Sequence, residues 1–89
     1  MKQRYLEVTY RKGKPLAAYL YLPRQPDAKA VRTEDGGSGM RVDYDAAGKV
    51  IGIEITAPAA ITLEQISDLL ERLGESPLLA DEWAPLEAA

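Results

Sequence analysis

The chain has no cysteine and no histidine. Their absence excludes a disulfide framework, thiolate or imidazole metal sites, nucleophiles activated by an imidazole, and any histidine pH switch. Long apolar runs are also missing: each is interrupted by proline or charge, so none makes a transmembrane helix. The first residues, Met1-Lys2-Gln3-Arg4-Tyr5, lack the apolar centre of a signal peptide, and a cytoplasmic location with no membrane partner is the expectation. With 89 residues the chain is one domain. A globule of this size buries only about 60–65% of the surface its unfolded chain exposes, so a homodimer that covers apolar area is expected.

Charge is unevenly distributed. Residues 1–50 carry ten Lys and Arg against six Asp and Glu, whereas residues 51–89 carry a single Arg against eight Asp and Glu. The first half is therefore net +4 and the second net −7. The favoured reading is mutual attraction between a basic sheet and an acidic helix, within the chain or across a dimer. The alternative is a basic face for an anionic partner.

Residues 40–55 write a β-hairpin. Met40-Val42-Tyr44 and Ile51-Ile53-Ile55 alternate on either side of Asp45-Ala46-Ala47-Gly48, where Asp suits the first position of a type I turn and Gly the left-handed residue that closes it. Two registers compete. In the favoured one all four turn residues lie in the loop, Tyr44 opposes Lys49, Val42 opposes Ile51 and Met40 opposes Ile53; the apolar residues then share one face, and Arg41, Asp43, Gly52 and Glu54 share the other. In the second, a three-residue loop with a glycine bulge sets Tyr44 opposite Val50 and Val42 opposite Gly52, leaving both faces half apolar.

Upstream, residues 4–10 alternate, with Leu6, Val8 and Tyr10 on one side and Tyr5, Glu7 and Thr9 on the other. A polar turn over residues 11–15 leads to a second strand over 16–22, where Leu16, Ala18, Leu20 and Leu22 face one way and Ala17, Tyr19 and Tyr21 the other. Residues 23–27 break the chain, a short third strand is expected over 28–33, and Glu34-Asp35-Gly36-Gly37-Ser38-Gly39 reads as a flexible connection. Downstream, Thr62 and Gln65 form a capping box, Leu63, Ile66, Leu69, Leu70 and Leu73 recur at helical spacing, and Gly74 suits the C-terminal cap. A helix over residues 63–73 is expected, with Asp68 and Arg72 as an i,i+4 pair. The class is α+β: an antiparallel five-stranded meander sheet, one amphipathic helix packed on one face, and a short C-terminal helical turn. Residues 1–75 make the domain and 76–89 a tail.

Ala18-Tyr19-Leu20-Tyr21-Leu22, followed by Val42-Asp43-Tyr44-Asp45-Ala46-Ala47-Gly48-Lys49-Val50-Ile51-Gly52-Ile53-Glu54-Ile55, resembles the small bacterial family known as domain of unknown function 2283. The resemblance spans about residues 4–60 and implies a bacterial, cytoplasmic, β-rich domain without assigned activity. In that family an acidic residue usually precedes the strand; here Lys14-Pro15-Leu16-Ala17 stands there, so no shared carboxylate site carries over. The helix, with the tail beyond Gly74, reads as an addition.

Candidate chemistry comes down to carboxylates, a glycine-rich segment and a basic aromatic surface. Asp43, Asp45 and Glu54 could ligate a hard cation or act as an acid/base pair. Simpler roles compete and are favoured: Asp45 has a turn to stabilise, Glu54 an Arg41 to pair with diagonally, and Asp43 faces water. The segment 35–39 lacks the Lys-Ser/Thr and following helix of a phosphate-binding loop. Lys2, Arg4, Arg11, Lys12, Lys14, Arg24, Lys29, Arg32 and Arg41, interleaved with Tyr5, Tyr10, Tyr19 and Tyr21, resemble the ingredients of a nucleic-acid surface, but an isoelectric point near 4.9 opposes it.

Tyr19 and Tyr21 are dimer-interface candidates on the sheet, since a ring with a polar tip suits a partly dry surface. In the tail, Ser76-Pro77 reads as a helix start, and Leu78, Leu79, Trp83 and Leu86 need a surface to cover. They either fold back onto the sheet or a dimer mate, or form a docking helix in which Leu78, Leu79 and Trp83 meet another protein. No catalytic residue, cofactor or metal is assigned. The leading expectation is a non-enzymatic protein-interaction or regulatory domain, ahead of a weak nucleic-acid binder and a carboxylate-dependent enzyme.

Overall fold

A computed structural model describes residues 3–87; Lys2 of the basic set and the last two residues of the tail lie outside it. Five strands, β1 (Tyr5–Arg11), β2 (Lys14–Tyr21), β3 (Arg32–Gly37), β4 (Met40–Tyr44) and β5 (Val50–Ile55), form one antiparallel sheet, followed by helices α1 (Leu63–Arg72) and α2 (Ala80–Glu87). The α+β class is as expected. The strand order, β1-β2-β5-β4-β3, corrects the expected single meander. Two short meanders, β1-β2 and β3-β4-β5, are joined by pairing of β2 with β5, which sets Ala18 opposite Ile55 and Leu20 opposite Ile53. Burial accounts for this order: β2 and β5 carry the most apolar runs and take interior places, while the charged β3 takes an edge.

The third strand also lies later than expected. It begins at Arg32 and absorbs Glu34-Asp35-Gly36-Gly37, so the glycine-rich segment is strand and tight turn, not flexible connection. Gly36 is buried where a Cβ would come within 2.9 Å of the Leu69 Cδ2 atom, and only glycine lets β3 lie so close to α1. Ser38 and Gly39, both at positive φ, form the two-residue turn into β4, and the Asp35 carboxylate accepts the Gly37 N–H at 2.8 Å.

The hairpin adopts neither expected register throughout. Its loop is the three-residue form: Asp45 N–H donates to the Lys49 carbonyl, the Asp45 side chain accepts from the Ala47 and Lys49 amides, and Tyr44 opposes Val50. A bulge at Ile51 then shifts the pairing, so that Asp43 opposes Gly52, Val42 opposes Ile53 and Met40 opposes Ile55. Without it, a one-residue slip would have turned half of each strand's apolar side chains to the wrong face. A second bulge, at Leu16 between the Thr9–Ala17 and Tyr10–Pro15 pairs, accompanies the exposure of Leu16, which the alternation had placed with the buried set.

One face of the sheet carries the core. Leu6, Ala18, Leu20, Met40, Val42, Ile53 and Ile55 pack with Ile66, Leu69 and Leu70 of α1 and Trp83 and Leu86 of α2. The α1 ends follow the sequence: Thr62 and Gln65 exchange capping-box hydrogen bonds, and at the other end Glu75 N–H reaches the Leu70 carbonyl while Gly74 N–H reaches Glu71. Arg72, expected to pair with Asp68, donates to the Gly36 carbonyl at 3.2 Å. Helix α2 starts at Ala80 and not at Ser76-Pro77, because the carbonyls of Ser76 and Pro77 are taken by Arg4 and the Glu82 side chain caps the Leu79 amide. Arg4 also grips the Glu82 carboxylate with two hydrogen bonds, 2.7 and 3.0 Å, a direct tie between the basic first half and the acidic second.

Candidate interaction face

The opposite face of the sheet carries a different chemistry. Register alone aligns two rows across it: Tyr5, Tyr21, Gly52, Asp43 and Thr33 in one, and Glu7, Tyr19, Glu54, Arg41 and Asp35 in the next. Both rows consist of the residues that alternate with the core positions.

Tyrosines dominate the β1-β2 half. The Tyr5 and Tyr21 rings stack with centroids 4.7 Å apart and planes 15° from parallel, and Tyr19 meets Tyr21 at 4.7 Å in a tilted contact. Arg24 lies over the Tyr21 ring, 5.2 Å from its centroid, and donates to the Ile51 carbonyl. Tyr19 lies flat across Gly52: a Cβ there would sit 2.0 Å from the phenol oxygen, so the absent side chain is what lets the ring cross β5. Beyond it the hydroxyl donates to the Asp43 Oδ2 atom at 2.7 Å, while Thr33 Oγ1 donates to Oδ1 at 2.6 Å. Both oxygens of Asp43 thus serve neighbouring hydroxyls. Burial, with the hydrogen bond to Asp43 next in weight, pushes the Tyr19 phenol up to about 12. Tyr21 is also shifted upward, by burial and by Glu7, whose carboxylate accepts its hydroxyl at 3.3 Å.

The carboxylates singled out from the sequence separate into distinct roles. Asp43 orients two hydroxyls, Asp45 holds the hairpin turn, and Glu54 stands directly opposite Arg41, where a diagonal pairing was expected. Of the interface candidates, Tyr19 and Tyr21 occupy the centre of the open face. Leu78 and Trp83 are covered by the chain's own core, at 5% and 6% exposure, whereas Leu79 is 63% exposed. The tail therefore folds back onto its own sheet, with Tyr10 donating to the Pro85 carbonyl at 2.8 Å.

Tyr5, Arg24 and Gly52 also belong to this surface, although the sequence placed Tyr5 and Arg24 only in the basic aromatic set and Gly52 only on the second hairpin face, and named none of them as an interface residue. Alternation assigned Tyr5 to the right side of β1, but its stacking on Tyr21 depends on the Leu16 bulge. Counting back from the Arg11–Lys14 pair without that bulge would set Tyr5 opposite Leu20. Gly52 between Ile51 and Ile53 was a signal for close backbone approach.

Residues 17–57 match the family model DUF2283, described as a protein of unknown function. The matched segment runs from β2 to just past β5 and contains Tyr19, Tyr21, Asp43 and Gly52, while β1, α1 and α2 lie outside it. No curated protein and no solved structure matches the chain. Through this segment, which carries the centre of the open face, the chain is similar to the DUF2283 family.

Proposed function

We propose that the protein is a non-enzymatic interaction domain that receives a protein partner on the open sheet face. The observation that carries this reading is the stacked Tyr5–Tyr21 pair with Tyr19 against it, set on a face away from the helices and with two of the hydroxyls held by carboxylates. Rings already fixed in place lose little freedom on binding, so more of the contact energy becomes affinity. The preferred partner segment presents arginine or lysine. Glu7, Glu54, Asp43 and Asp35 outnumber Arg41 and Arg24 around the rings, and a guanidinium could stack on a phenol while pairing with Glu7 or Glu54.

The same balance disfavours nucleic acid, because the carboxylates beside the rings outnumber Arg24 and Arg41 and repel phosphate, while Arg11, Lys12 and Lys14 gather at the β1-β2 turn. Catalysis is disfavoured by chemistry. A phenol with its proton held to about pH 12 is a poor base, and Asp43 already accepts two hydroxyl hydrogens. The test is affinity purification from cells with wild-type protein beside Tyr21→Ala and Glu7→Ala variants. A protein partner retained by the wild type and lost from both variants supports the reading; retention on a duplex or single-strand oligonucleotide column at low salt, abolished at moderate salt, overturns it in favour of nucleic acid.

A further inference from the structure

The two edges of the sheet are unequal. Along β1 the C-terminal segment closes in: Arg4 binds the Ser76 and Pro77 carbonyls and Tyr10 binds Pro85. Along β3 the side chains of Arg32, Thr33, Glu34 and Asp35 are all exposed, and among the described residues β4 is its only strand neighbour. Charge on an edge strand usually deters pairing with other chains. Here its order selects one partner. Arg32 and Glu34 flank Thr33 on the same face of the strand, 54% and 53% exposed in their side chains and linked to each other at 2.9 Å.

We propose that β3 pairs with β3 of a second copy, antiparallel and centred on Thr33, extending the sheet to ten strands. A two-fold axis perpendicular to the sheet keeps both core faces on the same side, which requires a residue to face its own counterpart at the axis. Centring on Thr33 places each Arg32 opposite the other copy's Glu34, so two opposite-charge pairs form across the new strand junction. Centring one position earlier sets Arg32 against Arg32, and one position later sets Glu34 against Glu34. Both neighbouring registers therefore put like charges on the axis, and only the Thr33 register satisfies the pattern. The dimer leaves the tyrosine face open and joins two copies of it side by side, so the proposal is independent of what that face binds.

The cysteine-free chain makes the register directly measurable. Residues facing each other at the axis have Cβ atoms about 5 Å apart, within reach of a disulfide, whereas two copies of residue 35 would stand about 13 Å apart in this register. Under mild oxidation, Thr33→Cys is expected to give a disulfide-linked dimer and Asp35→Cys to form no cross-link. Light scattering in the high micromolar range is expected to show a dimer for the wild type, a monomer for Arg32→Glu, and a recovered dimer for Arg32→Glu combined with Glu34→Arg. Circular dichroism confirms that each variant is folded. A monomeric wild type, a dimer that survives Arg32→Glu, or equal cross-linking at 33 and 35 overturns the proposal. Tyr21→Ala is expected to leave the dimer intact, which separates this result from the test of the open face.

Discussion

The two faces of the sheet are made by the same strands and held together by different physics. On the covered face Leu20, Ile53, Ile55, Ile66 and Leu70 are completely buried, and contact is aliphatic and nondirectional. On the open face the contacts are directional: stacked rings, a phenol across a glycine, hydroxyls on carboxylates. The first arrangement holds the fold together, while the second fixes side chains in orientations that the fold itself does not need.

That difference predicts a graded series of effects. The largest belongs to the covered face: Trp83→Ala or Leu20→Ala should destabilise the protein by about 3–5 kcal/mol in urea unfolding, because each leaves a cavity in the single core. Next comes Gly52→Val, which drives the Tyr19 ring off β5 and should cost about 1–3 kcal/mol, with loss of the near-ultraviolet circular dichroism of the tyrosine cluster. If Gly52→Val left that signal unchanged, Tyr19 would not be held by the glycine. Tyr19→Phe keeps the ring and removes one hydrogen bond; about 1 kcal/mol is expected, and the late step in an ultraviolet pH titration should vanish. Because the folded phenol titrates above its unfolded value of 10, its contribution is complete below pH 10 and fades as pH rises toward 12.

The smallest effects lie at the surface. Arg4 holds the Glu82 carboxylate below its ordinary range, so the stability gained from this pair is present above the unfolded carboxylate pKa and is lost as acid protonates Glu82. Glu82→Gln should remove that part of the acid dependence and lower stability by about 1 kcal/mol at neutral pH. Tyr21→Ala should change stability least, by less than about 1 kcal/mol, while weakening partner binding most. An equal stability loss for Tyr21→Ala and Leu20→Ala would erase the distinction between the faces.

Much of this was legible from local chemistry. The Thr62–Gln65 box, the turn chemistry of Asp45 and the alternation of Leu6-Val8 with Tyr5-Glu7 act over a few residues, so their outcomes can be read where they stand. Bulges cannot be read in that way. Ile51 and Leu16 look like ordinary alternating strand residues, and what makes each the extra residue is the demand of a neighbouring strand for the correct face. The displaced third strand has a similar origin: Gly36 belongs in β3 because Leu69, 33 positions later, needs the space its missing Cβ leaves.

By itself, then, the sequence determined four of the five strands, the ends of α1, the place of the hairpin turn and most of the amphipathic split between apolar and tyrosine-bearing positions, because each follows from propensity and short-range periodicity. The tertiary structure alone decided the strand order, the bulges that keep the two faces pure, the burial of Trp83 and the meeting of Tyr5 with Tyr21 and of Tyr19 with Asp43. Those depend on which strands lie side by side, and that choice is made by the total apolar area the whole chain can bury rather than by any one segment.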